Sequence, residues 1–346
     1  MTTFKHTLPG FMLALGFAVP AWFLGAEYRL IGGPVFAILL GMLVATLFHI
    51  PNVFGPGFRF TSKKILQLSI VLIGFSMNLS HVLTMGARSL VIILAVLLTS
   101  FGTAYVLRYL LKTEENVTIL IGVGTAICGG SAIAATAPVI RANDREIASA
   151  ISTIFLFNII AVLLFPSLGR LMDMTETAFG MWAGTAINDT SSVVAAGQIW
   201  SEGALQTATI VKLVRTLMII PVVLILGILQ TRKMTGEKKL KKSERHVSNP
   251  TIRQRKDSYV LLKVFPWFVL LFLAASLLTT MNVVTPDGAR LLASAGRFFI
   301  VTAMAAIGLN TNLKQLAANG VRPLLLGMGC WVAVAVVSLG VQYLIQ

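Results

Sequence analysis

The chain runs to 346 residues, of which 56% are apolar and only 12% charged, with a formal net charge of +15. A typical soluble domain carries about 25% charged residues, so this chain lacks the polar surface to coat a water-soluble globule, which excludes soluble enzymes and disordered chains. The positive charge does not point to nucleic acid either. Residues 231–258 alone hold ten Lys/Arg against three acids, the basic bias of a cytoplasmic loop in a membrane protein.

A helix needs about 20 apolar residues to cross the hydrocarbon core. Eleven stretches approach that length: 8–25, 31–50, 63–80, 88–111, 117–140, 147–169, 176–199, 204–230, 259–280, 290–312 and 321–345. Lys5 ahead of the first resembles the start of a signal peptide, but further spans follow without a cleavage site, so a first membrane helix is expected. Cys128 and Cys330 lie inside apolar runs, which gives neither a disulfide framework nor a zinc spacing. The expected fold is an all-α polytopic membrane protein, one integral domain over residues 1–346. The segment 231–258 is a basic cytoplasmic loop within it, with anionic-lipid contact as its alternative role.

Two stretches differ from the rest. Residues 117–140 contain VGTAICGGSAIAATAPVI and residues 176–199 contain WAGTAINDTSSVVAAG, with Gly, Ser, Thr and Ala where a lipid-facing helix would carry Leu, Ile and Phe. Gly129 and Gly130 in tandem would each weaken a helix by about 1 kcal/mol relative to Ala. Broken backbone at membrane depth is tolerated only where protein or a water-filled cavity surrounds it. Close packing through small residues is the plainer reading; a break that forms a site is the sharper one.

The two stretches are also related to each other. GTAICGGSAIAA (124–135) aligns with GTAINDTSSVVA (184–195) at the GTAI run, at Ser131/Ser191 and at Ala135/Ala195. A second repeat pairs residues 73–90 with 307–324, with identity at Ile73/Ile307, Gly74/Gly308, Asn78/Asn312, Leu79/Leu313, Gly86/Gly320, Arg88/Arg322 and Leu90/Leu324. Paired repeats with interrupted hydrophobic segments mark secondary transporters, and the interruptions point to the substrate site. If all eleven stretches crossed the membrane, one repeat would be inverted and the other not. If 117–140 and 176–199 are re-entrant hairpins, both become inverted. The expectation is therefore nine crossings and two hairpins, with the amino terminus inside and the carboxyl terminus outside, and a full-span broken helix at each site as the alternative.

These motifs carry a resemblance. From first span to last, the chain resembles the YeiH family of bacterial inner-membrane proteins, to which a sulfate-exporter label is attached; the likeness rests on residues 124–140, 184–197, VKLVRT (211–216) and IGLNTNL (307–313). More distantly it is similar to the bile-acid, arsenite and riboflavin transporter superfamily and to the cation/proton antiporters, in which a core with two interrupted elements moves against a scaffold. Here the second interrupted element precedes the second Gly-x-x-x-Asn-Leu element, so the halves read as circularly permuted.

Ionisable residues in hydrocarbon cost roughly 2.5–3.5 kcal/mol each on insertion scales and mark pathways or pairs. Asp189 is expected at the tip of the second hairpin. Lys212 and Arg215 follow at i, i+3 on one helical face, either neutralised in part by Asp189 or presenting net positive charge to an anion, with Arg as a planar fork and Lys as a point charge. Half-helices starting near Gly129, Gly130 and Ser131, and near Thr190, Ser191 and Ser192, would aim backbone N–H groups inward. Their hydroxyls either cap those starts or donate to oxygen acceptors. Asn188 and Cys128 complete the expected substrate site, Cys128 as a packing residue. Asn78, Asn312 and Asn158 are candidates for lining the cavity or for bridging helices. His6, His49, His81 and His246 fall at ends or in loops, so proton coupling would rest on Asp189 or Lys212.

The function expected from these residues is a secondary transporter exporting sulfate, sulfite or a small sulfonate by alternating access. The alternative is a cation/proton antiporter using Asp189 and Lys212. An intramembrane enzyme lacks a nucleophile, base or metal-ligand set at midspan, so no cofactor and no metal are expected. The expected partners are a small inorganic or sulfonated anion, protons or another coupling ion, and the lipid bilayer, with no nucleic acid; a homodimer is compatible with the sequence. Arg215→Ala is expected to abolish transport while leaving folding intact.

Overall fold

The computed structural model describes residues 2–28, 31–48, 50–240, 266–311 and 320–345, and is helical throughout with no strand among them. In chain order the helices are α1 (Thr2–Glu27), α2 (Gly33–Leu47), α3 (Gly55–Phe60), α4 (Leu66–Gly74), α5 (Leu79–Leu111), α6 (Glu115–Ala126), α7 (Gly130–Ile140), α8 (Asp144–Leu171), α9 (Glu176–Ala186), α10 (Thr190–Trp200), α11 (Glu202–Leu217), α12 (Ile219–Leu240), α13 (Trp267–Thr280), α14 (Pro286–Leu309) and α15 (Val321–Ile345). A π-helical turn over Thr61–Ile65 joins α3 to α4. Six stretches are long and apolar enough to cross a bilayer by themselves, among them α1, α5, α8 and Glu202–Gln230, while α2, α7 and α13 are shorter apolar helices.

Polar caps fix the helix starts. Asn143 accepts from the Glu146 backbone N–H at 2.9 Å while the Glu146 carboxylate accepts from the Asn143 N–H at 2.7 Å, a capping box at the start of α8. Thr175, Ser201 and Thr285 cap α9, α11 and α14 in the simpler one-bond manner. Each such bond satisfies one of the donors a helix start leaves open.

Contacts between helix ends set the direction of each element. Asn116, at the start of α6, donates to both Glu146 oxygens at 3.0 and 3.1 Å, and Glu146 follows the end of α7. Gly124 in α6 lies against Ile133 in α7, nine residues on, which a straight helix would hold about 13 Å apart. The pair α6–α7 therefore enters and leaves on one face. On the opposite face Phe179, near the start of α9, stacks on Trp200 at the end of α10, with ring centroids 4.1 Å apart. Gly180 and Gly184 of α9 meet Ala204–Val211 of α11 in ascending order, whereas Gly197 of α10 meets Ala204 and Leu205; α9 and α11 are parallel and in direct contact, and α10 runs back antiparallel to them. Both interrupted segments are re-entrant hairpins. Outside the hairpins the described helices fall into nine segments: α1, α2, α3–α4, α5, α8, α11–α12, α13, α14 and α15, of which α1, α5, α8, α11–α12, α14 and α15 hold stretches long and apolar enough to cross a bilayer. The full-span alternative is excluded by these contacts.

The helices form two packed groups. One apolar core joins α1, α2, α3–α4, α13 and α14 and reaches onto α8, α10 and α11; others hold α5–α12 with α15. Both copies of the 234-residue repeat lie in the first of these groups. Gly74 presses on Phe272 of α13, and Gly308 presses on Ile38 and Gly41 of α2, so each repeat's small residue admits a neighbouring backbone. The segment 231–258 lies largely outside the described residues; α12, which leads into it, passes with Gly227 3.8 Å (to a built Cβ) from Val139 of α7, beside the mouth of the first hairpin.

Candidate functional site at the crossing of two hairpins

The hairpin tips meet. A Cβ built on Gly129 would lie 3.6 Å from the Asp189 Cβ and 3.7 Å from the Asn158 Nδ2. Gly129 sits at φ +67°, a conformation that side-chain-bearing residues rarely adopt; the sharp reversal between α6 and α7 depends on it. Asn158, buried on α8, accepts from the Asp189 backbone N–H at 3.2 Å. It therefore bridges helix and hairpin, the second of the two roles expected for it.

Four half-helix ends point at this crossing, and each is treated differently. The carboxyl ends of α6 and α9 carry carbonyls that no further helical turn satisfies. Lys212 Nζ donates to Ile127 O at 2.8 Å, Ile187 O at 3.1 Å and Asn188 O at 2.5 Å. Arg215 donates from Nε to Ala126 O at 2.7 Å, from Nη1 to Ile187 O at 2.9 Å, and from Nη2 to Thr125 O. Both side chains are 0% exposed. A helix carboxyl end carries about half a negative charge, so two such ends supply close to one unit against two fixed cations. The expectation of cations free to face an anion is thereby corrected: all three donors of Lys212 and three of Arg215's five are engaged by backbone carbonyls. Arg215→Ala would leave the buried carbonyls of Thr125 and Ala126 without this donor, Ile187 O retaining Lys212 Nζ, so intact folding no longer follows.

The amino ends are left more open. Gly129 caps α7 with no side-chain hydrogen bond, and Ser131, the first hydroxyl of that helix, is exposed. At the start of α10, Asp189 occupies the capping position and its Oδ2 accepts from the Ser191 hydroxyl. Asp189 and Thr190 are half-buried, while Ser191 and Ser192 are buried. Among the described residues Asp189 makes no ion pair with Lys212 or Arg215, so direct neutralisation is not how the charges are arranged.

Other expected members fall as follows. Asn188 is 0% exposed, and neither its Nδ2 nor its Oδ1 has a hydrogen-bonding partner among the described residues. Cys128 is a buried free thiol within an apolar cluster. Asn78 is exposed and accepts from the Ser80 backbone N–H at 2.9 Å; it caps α5 and lines no cavity, a correction whose cause is the helix start immediately after it. Asn312 lies outside the described residues. No group of His, Cys, Asp and Glu among those residues could hold a metal ion. The sequence reading missed Thr125, whose Oγ1 is buried without a partner; its place in the repeated GTAI run, opposite Thr185, was the available signal.

The repeat also exposes an asymmetry. Ser131, Ala134 and Pro138 share one exposed face of α7. Their counterparts on α10 are Ser191 and Val194, which are buried, and Gln198, which is half-buried. The α10 face packs against the group containing α2 and α14, whereas the equivalent α7 face is uncovered.

The chain matches the family described as "Conserved hypothetical protein 698" over residues 9–327. It is 47% identical over 349 residues to a UPF0324 membrane protein of Streptococcus pyogenes serotype M3, covering 99% of this chain and 98% of the relative. It is 45% identical over 346 residues to one of Streptococcus agalactiae serotype V, covering 98% of both, and 42% identical over 358 residues to one of Fusobacterium nucleatum, again covering 98% of both. This full-length agreement, with multiple apolar helices, makes the chain a multi-pass membrane protein of the UPF0324 (YeiH) family.

Proposed function

We propose that the protein is a secondary transporter of small oxygen-bearing anions, exporting sulfate, sulfite or a small sulfonate across the bacterial inner membrane. The observation that carries this reading is the charge balance at the hairpin crossing. Two fixed cations and one carboxylate sum to +1, and the partial charges of two helix starts and two helix ends cancel. In transporters built on interrupted helices, helix starts face anionic substrate groups and carboxyl ends coordinate coupling cations. Here Lys212 and Arg215 already occupy both carboxyl ends, which supports an anion at the uncapped start of α7, beside Gly130 and the Ser131 hydroxyl. Asn188, Thr190, Ser191 and Ser192 would form the opposite wall.

The unequal cover of α7 and α10 supports alternating access, in which one repeat's face is sealed while the other's is open. The amino-terminal face is read as cytoplasmic, because the basic segment 231–258 leaves from it. No chemical transformation and no cofactor enter this reading. A second reading keeps one observation in its favour: Asp189 is half-buried at the crossing and open to a proton, either as the coupling group of an anion carrier or as the carboxylate of a cation/proton antiporter.

Flux in proteoliposomes separates these readings. Reconstituted protein should accelerate uptake of labelled sulfate, sulfite or a sulfonate over chloride. Background anion flux, together with collapse of a pH gradient by sodium or potassium, would replace the anion reading with the antiporter.

A further inference from the structure

Near its mouth, the second hairpin is closed against the group containing α2 and α14 by a small set of contacts. Glu202, the first residue of α11, places its Oε2 3.0 Å from Nη1 of Arg297, which lies about three turns into α14. Arg297 Nη2 donates to Ser294 Oγ at 3.0 Å, which fixes the guanidinium. The Arg297 main-chain carbonyl accepts from Gln198 Nε2 of α10 at 3.3 Å. Ile199, next along α10, packs on Gly32 just before α2, so closely that a Cβ built on Gly32 would lie 2.8 Å from Ile199 Cγ1. A cavity of about 430 Å³ borders Gln198, Ile199 and Arg297, so the seam between the groups is already hollow beside this seal.

Arg108 pairs with Glu115 between α5 and α6, and Arg290 with Asp287 inside α14, each within one group; Glu202–Arg297 instead joins the two groups. Its side chains are 54% and 27% exposed, and a partly exposed ion pair is worth little. That suits a contact that must break and re-form, where a buried pair would be costly to open. The repeats supply mirror positions. Asp144 opens α8 after the first hairpin as Glu202 opens α11 after the second, and the longer repeat, extended ten residues toward the amino terminus, pairs Lys63 with Arg297. Asp144 and Lys63 are both exposed, and neither takes part in an ion pair among the described residues. The acid–base pair is thus made where a hairpin is covered and unmade where its counterpart, with the α7 face, lies uncovered.

We propose, on the alternating-access reading above, that Glu202 and Arg297 form a latch holding the second hairpin shut, and that Asp144 and Lys63 form the matching latch on the first hairpin when the protein inverts. Each latch exists in one state only, so the two bias the equilibrium between the states in opposite directions.

The test uses the full chain in proteoliposomes, an impermeant thiol reagent and two reporters. Val194→Cys, on the buried α10 face, reports opening of the second hairpin, and Ala134→Cys, on the exposed α7 face, reports the first. Glu202→Gln should speed labelling of Val194→Cys about two- to fivefold, the effect of losing one partly exposed ion pair, and should slow labelling of Ala134→Cys. Arg297→Gln should act in the same way, and the double variant should exceed neither, because both residues act through one contact. Asp144→Asn should move both reporters in the opposite direction. Since Ala134 is exposed, its reporter stands even where Val194→Cys disturbs packing. Labelling of both reporters unchanged in Glu202→Gln, or single effects that add in the double variant, would overturn the latch. No shift in Asp144→Asn, or one in the same direction as Glu202→Gln, would overturn the mirror pair. Latch-dependent labelling in a protein without anion flux would sink the anion reading and leave the latch standing.

Discussion

Replacing Lys212 with Met tests how the two hairpins are joined. Met keeps the unbranched length but removes the charge and all three donors. Ile187 O would retain Arg215 Nη1, whereas Ile127 O and Asn188 O would lose their Lys212 donor. Two buried carbonyls left unmet cost about 1–3 kcal/mol each, and the two helix ends lose part of their charge compensation, about 0.3–1 kcal/mol each. Relief of the desolvation cost of the buried ammonium offsets a portion, so the net falls near the 3–5 kcal/mol typical of breaking a buried charge pair. With an unfolding entropy of about 2 cal/mol/K per residue, a chain of this length should melt about 4–7 °C lower. Thermal unfolding in mild detergent, followed by intrinsic fluorescence, measures this directly. A Lys212→Met protein melting within about 1 °C of wild type would show that the carbonyl contacts do not hold the tips together.

Arg215→Lys keeps the charge but cannot reproduce the fork across Thr125, Ala126 and Ile187, and should cost about 1–3 kcal/mol in the same assay. Gly129→Ala forces a side chain into a conformation costing of the order of 1–3 kcal/mol; since its nearest side-chain contacts would be ordinary ones of 3.4–3.7 Å, any larger loss would point to crowding and not to backbone conformation. Asp189→Asn keeps a helix-capping residue, so folding should persist, while the pH dependence of flux should flatten; an unchanged profile removes Asp189 from coupling. With both native cysteines buried, cysteines placed at Thr113 and at Ala142 should react with a membrane-impermeant thiol reagent from the same face, and one at Met174 from the other. Labelling of positions 113 and 142 from opposite faces would rule out the first hairpin.

Much of this architecture is legible in the residues. The Gly129–Gly130 tandem and the two GTAI runs locate the breaks, and the parity of the two repeats favours hairpins over full-span broken helices. What the residues do not convey is where the backbone carbonyls point. Lys212 and Arg215 read as cations in search of an anion because side-chain identity says nothing of six acceptor contacts made by main-chain oxygen. Asn78 is misjudged for a related reason: the same amide that lines a cavity also caps a helix, and only the helix start after it decides.

On the proposed function, the uncapped start of α7 receives the transported anion. The most direct test is the rate at which Ser131→Cys, in the otherwise native chain, reacts with an impermeant thiol reagent in proteoliposomes. Sulfate, sulfite or a small sulfonate at saturating concentration should slow that reaction, and chloride should not. A rate indifferent to every anion but slowed by sodium or potassium would contradict it.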